Sequence, residues 1–498
     1  MATTRRKFLA ATTGAAAGWT LVDANLLAWA NQQAPRVRRD VATLNSSSPE
    51  IQSMKIAVEK MKTGTGLGNN DRRRWAAQAR IHGSRQGFLK CQHRNWYFLP
   101  WHRAYLFFFE EIVRELSANN EFALPYWNWT KDRTLPQLFW AAGNPLHNPP
   151  RNGEPGSGRD PALTPTTKIP DEDYIRLLSK TVISQLLGIS DFEIFGGGAV
   201  DQLGQRSTIG RLEGTGHNYI HTFVGGDMGT GGSPLDPIFW LHHCNVDRLW
   251  TLWAARNPQQ TPNDADWLNT AIPHFCDRQG NATSILVKDT LNTTKLGYVY
   301  DQQPTPLAIT PNASRPVVLG ALSLEDGLVN NARSFAANAG DQLAATVAAL
   351  TAAPELERKE TVRLRISGIE PPKDNVVLDL FLNCENISPE TPITDDSYVG
   401  SCTFFDHGDH GEEKGHHGEN RAAEKEDGRE GGVAFVFDLT PEFVRLYGGR
   451  PLAKDEPLKV SILTRPLALH GEKHEGANVK VQEINPQQVS IDVLSRNA

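Results

Sequence analysis

Two stretches of this chain set a histidine one helical turn after a phenylalanine, on a run whose apolar residues recur at helical spacing. In the first, Phe98 precedes His102, and Tyr105, Phe108, Phe109 and Ile112 carry the periodicity onward, which predicts a helix over 101–116. In the second, Phe239 precedes His243 within a face built from Ile238, Leu241, Val246, Leu249 and Trp253. Asp236 and Pro237 open that helix: the carboxylate can cap free N–H groups, and proline at the first helical position sacrifices no bond. Faces this apolar must be buried, and the imidazoles go inside with them. An aromatic ring one turn earlier can pack on each imidazole and hold it in place, which suits a metal site whose ligands are fixed before the metal arrives.

The remaining histidines extend the pattern. His82 and His93 lie in the first half, and the pair His242 and His243 closes the second. A helix brings His217 and His221 onto one face, although that spacing alone equally describes two partly exposed side chains. Neutral imidazole is a good copper ligand. His147 and His274 are expected to be structural. His410, His416 and His417 fall in a polar, charge-rich insertion over 408–432 with His407 at its edge, and His470 and His474 in a second loop; both are expected to be solvated rather than metal-holding.

A chain of 498 residues exceeds one ordinary domain. Ten of the twelve tryptophans gather between about 75 and 270, which locates the large core there. Residues 31–305 read as a helical domain, with a helix over 71–81 and a Pro- and Gly-rich surface loop over 145–170. Residues 306–359 shift to Ala, Pro, Asn and Thr and read as a linker with one helix near 336–350. From 360 to 498 the pattern becomes strands, at 361–366, 376–382, 433–437, 458–463 and 489–494, which predicts a small β-sandwich or barrel. Residues 1–30 read as a twin-arginine export signal: Arg5 and Arg6 precede an Ala-, Gly- and Thr-rich stretch that ends at Ala28, Trp29 and Ala30. The expected destination is periplasmic or secreted, and export of a folded chain suits an enzyme loaded with metal beforehand. No stretch is long and apolar enough to span a bilayer, so no stable membrane association is expected. A net charge of -6 and the lack of a basic stripe give no reason to expect nucleic acid. Five cysteines are too few for a disulfide scaffold, and the odd count leaves one outside any pairing.

The run from Cys91 through His93 and His102 to Glu110 resembles the copper-A signature of tyrosinases and catechol oxidases, and the run from Asp236 through His243 to Trp250 resembles their copper-B signature. Val37 to Arg39 and Tyr298 to Tyr300 are similar to the motifs that bound this domain in plant members, and Tyr398 to Cys402 with Val436 to Asp438 resemble their C-terminal shielding domain. The resemblance implies a mainly α core with a four-helix bundle holding two copper ions, followed by the smaller all-β domain. It implies His82, His93 and His102 on copper A and His217, His221 and His243 on copper B. His242, the rival of His243, points about 100° away on the helix and reads as a packed neighbour. A thioether between Cys91 and His93 is implied, as is a water held near the metal by Glu213 and Asn218 that helps deprotonate a phenol. The position that carries a bulky gate over copper A in many plant enzymes falls on Thr230 or Gly231, both small, so an open entrance is expected. Asp247 is expected to accept a hydrogen bond nearby, or to pair with Arg248 or Arg103. The implied activity is oxidation of small-molecule phenols by dioxygen, with both monophenol hydroxylation and diphenol oxidation, as in a tyrosinase. The alternatives are a catechol oxidase and, more distantly, a haemocyanin-like oxygen carrier. The C-terminal domain is expected to lie over the site and keep it latent until the linker is cut, with Phe404, Phe405 and the loop around His470 as candidates to enter it.

Overall fold

The computed structural model describes residues 20–21, 34–85, 87–149, 163–200, 207–258, 260–302, 314–324, 331–353, 360–405, 432–468, 482 and 484–496. The export signal apart from Thr20 and Leu21, the insertion with His407, His410, His416 and His417, and the loop with His470 and His474 lie outside them. Among the described residues, no helix is long and apolar enough to cross a membrane.

The helical half is built on α1 (Pro49–Thr63), α2 (Trp75–His82), α3 (Phe98–Ser117), α4 (Asn218–Val224) and α5 (Ile238–Arg256). The start of α2 differs from the expected 71, because Asp71 turns back to accept the Arg73 backbone N–H at 2.8 Å and ties up the guanidinium of the same residue. That local turn competes with helix, and the helix begins at Trp75. Helix α3 starts one turn before the expected 101, after Asn95 accepts from the Tyr97 backbone. Asp236 accepts the Ile238 N–H at 2.9 Å and opens α5 as its sequence suggests.

Beneath α3 and α5 lies a buried ionic cluster. Strand β1 (Arg36–Arg38) pairs in parallel with strand β3 (Tyr298–Tyr300), so the two ends of the helical domain meet; strand β2 (Ser207–Ile209) lies between them in sequence and serves elsewhere. Arg38 reaches Glu110 at 2.9 Å and Asp247 at 3.2 Å, and its guanidinium lies 3.5 Å from the centre of the Tyr298 ring. Asp247 also accepts from Arg103 at 2.5 Å, Tyr298 at 2.7 Å and Tyr300 at 2.5 Å. Arg114 closes the set on Glu110 and Glu111. Burial alone would push the Asp247 carboxyl up, but Arg103 and Arg38 outweigh it and hold it below the ordinary range. Arg248, the other partner considered for Asp247, turns instead to Asn245 and the Tyr126 ring.

The C-terminal half is a nine-stranded sheet. Its strands are β2, β4 (Ser314–Leu324), β5 (Ala332–Asn338), β6 (Glu360–Ile369), β7 (Val376–Leu382), β8 (Tyr398–Thr403), β9 (Val433–Asp438), β10 (Pro457–Pro466) and β11 (Gln488–Arg496), in the order β8-β7-β10-β5-β4-β11-β6-β9-β2. Leu378, Leu380 and Val460 from one side share an apolar core with Val362, Leu364 and Phe435 from the other, so the sheet curls upon itself. Two findings correct the expected boundaries. The segment read as a linker contains the helix expected in it, Gly340–Ala352, but also supplies β4 and β5, which form strands by pairing with β11 and β10 on either side. Strand β2 crosses from the helical half to pair in parallel with β9. The halves are further joined by buried ion pairs, Arg363 to Asp191 at 2.8 Å and Arg176 to Asp379 at 3.3 Å.

Replacing Asp247 with alanine leaves Arg38 and Arg103 buried without their shared counter-charge. It is expected to cost about 3–5 kcal/mol of stability, read from denaturant unfolding followed by tryptophan fluorescence. A loss under about 1 kcal/mol would show that Glu110 alone suffices to hold the guanidinium groups.

Candidate metal centre

Seven imidazoles converge between the helices, all buried. His82 ends α2, His93 sits in the loop before α3, and His102 lies in the first turns of α3. His217 closes a π-helical turn (Glu213–His217), His221 is on α4, and His242 and His243 are on α5. They form two groups, His82 with His93 and His102, and His217 with His221, His242 and His243; within each, the ligand nitrogens lie within 4.8 Å of one another. The groups face each other: the His102 and His243 rings stack at 4.3 Å and 9°. The aromatic device read from the sequence is present, with Phe98 4.9 Å from His102 and Phe239 4.2 Å from His243.

Hydrogen bonds decide which nitrogen each ring offers. The Nδ1 of His82 donates to the Gly231 carbonyl at 2.8 Å, that of His102 to Phe98 at 2.8 Å and that of His221 to Met228 at 2.7 Å. A carbonyl only accepts, so the proton is on Nδ1 and the lone pair on Nε2. Asn218 does the same for His217: its amide nitrogen donates to the Thr403 carbonyl at 3.0 Å, which turns its oxygen to His217 Nδ1 at 3.0 Å. The Nε2 atoms of His82, His93, His102 and His217 are buried with no hydrogen-bond partner, and those of His221 and His243 face each other at 3.3 Å. Bare lone pairs turned inward are costly unless a cation takes them. Burial pushes the His82 imidazole down to about 4, with the Gly231 carbonyl opposing, and pushes His93, His102, His217, His242 and His243 down as well. The rings are therefore neutral at pH 7, the state a metal requires. An all-imidazole donor set of this kind fits copper.

His242 departs from the simple helical expectation. Successive side chains diverge by about 100°, yet His242 joins the second group. His217 and His221 approach α5 between the two directions: His217 lies 5.4 Å from His242 and 5.0 Å from His243, and His221 lies 5.0 Å and 5.5 Å from them. Neither nitrogen of His242 has a hydrogen-bond partner.

The other candidates are found as follows. Cys91 is buried with its sulfur 3.4 Å from His93 Nδ1. Glu213 is buried rather than exposed, and its two oxygens accept the Arg94 backbone N–H at 2.9 and 3.0 Å. Thr230 and Gly231, the expected small gate, both pack closely on their own surroundings. Gly231 is wedged under the hairpin that follows His82, where a Cβ would lie 2.2 Å from the Gly87 carbonyl oxygen, and Thr230 turns its hydroxyl to the Asp227 carbonyl. The ring over the first group is Phe88 instead, 4.3 Å from His93. Of the C-terminal candidates, Phe405 enters the site and stacks on His221 at 4.4 Å and 28°, whereas Phe404 turns back to Phe435 in its own domain. Phe88 was missed because its proximity to the histidines depends on the turn of a short hairpin, which carries no periodic signal.

Comparison with known proteins agrees with this centre. Residues 72–256 match the common central domain of tyrosinase, and residues 262–311 match the polyphenol oxidase middle domain. A tyrosinase of Hahella sp. (strain CCB-MM4) is 33% identical over 377 residues, covering 66% of this chain and 77% of that one. Polyphenol oxidase C of Solanum lycopersicum, a chloroplast protein, is 28% identical over 355 residues; the match covers 63% of this chain and 54%, about half, of that relative. Among solved structures, a latent aurone synthase (polyphenol oxidase) superposes with a TM-score of 0.65 at 20% identity, covering 94% of this chain and 91% of that one. A latent apple tyrosinase gives 0.60 at 20% identity, covering 93% and 97%. These two likenesses concern the fold. With the central-domain match and the Hahella relative beside the histidine centre, the chain belongs to the tyrosinase family of type-3 copper oxidoreductases.

Proposed function

We propose that this chain is an exported phenol oxidase with both tyrosinase activities, ortho-hydroxylation of monophenols and oxidation of o-diphenols to o-quinones by dioxygen. The observation that carries the reading is the pair of buried imidazole groups with their lone pairs turned toward each other. His82, His93 and His102 would hold one copper, and His217, His221 and His243 the other. Bound there, the two coppers supply dioxygen activation and electron transfer from the phenol. The chain's part is to orient the ring, keep out water and take the phenolic proton. His221 offers a face for an aromatic ring, since Phe405 already stacks on it. Glu213, one turn before His217, and Asn218 beside it are proposed to hold a water that takes the phenolic proton, with the Glu213 carboxylate as the base behind it.

Phe405 also supports latency. It lies where a phenol ring would lie, held by its backbone: Arg94 donates to its carbonyl at 3.4 Å, and Thr403, two residues earlier, donates its hydroxyl to Gly214 at 3.1 Å. Withholding activity until after export makes sense for an enzyme whose quinone products attack proteins. The export signal at 1–30 belongs to the same proposal.

Three measurements test the proposal. His102→Ala and His243→Ala should each abolish diphenol oxidation and lower bound copper, whereas His242→Ala should keep most of it; metal analysis giving the reverse for the last two would move the ligand to His242. Mass spectrometry of the peptide containing Cys91 and His93, from copper-loaded protein, should show the loss of two hydrogens that a thioether requires, and a freely alkylated Cys91 would exclude the bond. Full-length Phe405→Ala should oxidise catechol several-fold faster than the parent chain and should also hydroxylate tyrosine; catechol turnover without tyrosine turnover would make the enzyme a catechol oxidase.

A further inference from the structure

We infer that Phe88 is the specificity-determining wall of the site, the ring whose edge limits the size of the aromatic substrate lying on His221. The inference rests on the phenol-oxidising reading above. Phe88 closes the hairpin Gly83–Ser84 with Gly87–Phe88, which stands between His82 and His93. Its ring lies 4.3 Å from His93 at 32°, 5.4 Å from His82 at 75° and 6.1 Å from Phe405 at 67°. Phe405 is flat on His221 at 4.4 Å and 28°. An aromatic ring that takes the place of Phe405 on His221 therefore meets Phe88 edge-on, a favoured aromatic geometry.

The wall cannot easily retreat. A Cβ on Gly83 would lie 2.5 Å from the Gly87 carbonyl oxygen and 2.7 Å from that of Gly231, so the hairpin and the 231 loop are in backbone contact. Gly87 has φ +145, a conformation that L side chains rarely adopt, and it sets the direction in which Phe88 leaves the turn. Arg85, at the hairpin tip, is tied to Asp227 at 2.8 Å. The same packing sets the hairpin directly against Gly231, one of the two small residues at the expected gate position.

The test uses the full-length, copper-loaded chain with Phe405→Ala, so that the site is accessible, and adds Phe88→Ala, Phe88→Leu or Phe88→Tyr. Phe88→Ala should raise the KM for catechol about three- to tenfold, with kcat little changed and copper content unchanged. It should raise kcat/KM for 4-tert-butylcatechol relative to catechol, and Phe88→Tyr should restore the parent values. Calorimetric binding of benzoate, a ring that does not react, should weaken by a similar factor. An unchanged KM, size preference and benzoate affinity in Phe88→Ala would overturn the inference, and so would copper loss in both Phe88→Ala and Phe88→Leu, which would make Phe88 only a support for His93. If no variant oxidises catechol while benzoate binding still weakens, the wall stands and the proposed reaction falls.

Discussion

The fold depends on keeping two like-charged guanidinium groups inside the protein. Arg38 comes from the start of the helical domain and Arg103 from the residue after His102; Asp247, one turn beyond His243, bridges both, and Glu110 supplies the second counter-charge on Arg38. Each is too costly to bury alone. The cost is met only when β1, β3, α3 and α5 are all in place, since Tyr298 and Tyr300 complete the coordination of the carboxylate. His102 and His243 are each within a turn of a member of this cluster, so the ionic contact that holds the two helices in register also fixes the spacing of the histidines they carry.

A second layer of control lies in the acceptors behind the imidazoles. Three backbone carbonyls and one side-chain amide fix the proton on Nδ1 and leave Nε2 pointing inward. Two of those acceptors, Gly231 and Met228, lie in the loop that leads into α5. That loop orients the rings, and Gly231 in it has no room for a Cβ beside the Gly87 carbonyl.

Much of this could be read in the sequence where the signal was periodic or local. Helices α3 and α5, the imidazoles on them and the capping by Asp236 follow from residues within a few turns of one another. The late strands follow from alternation. What escaped depends on partners far along the chain. Gly231 reads as a small, open position until the hairpin at 83–88 is seen packed on it. Strand β5 looks like linker because Ala, Ser and Asn have little strand preference of their own, and its neighbours β4 and β10 supply it. Phe404 and Phe405 are equivalent in sequence, and only the end of β8 determines which one turns outward into the site.

Strand β2 has a consequence for how the molecule is made. Ser207 to Ile209 pair with Val433 to Phe435, and the chain then runs at once into the π-helical turn of Glu213 and His217. Gly214 in that turn packs under Phe435, where an added Cβ would lie 3.1 Å from the ring. During synthesis from the N-terminus, the segment that carries His217 and His221 emerges well before the strand that anchors it. His82 and His102 can be set once the helical half, with the Gly231 loop and Asp247, has been made, but His217 and His221 gain their full support only when nearly the whole chain is available. Completion of the centre is thereby tied to completion of the polypeptide, and a truncated product would carry one finished half of the site and one loose half.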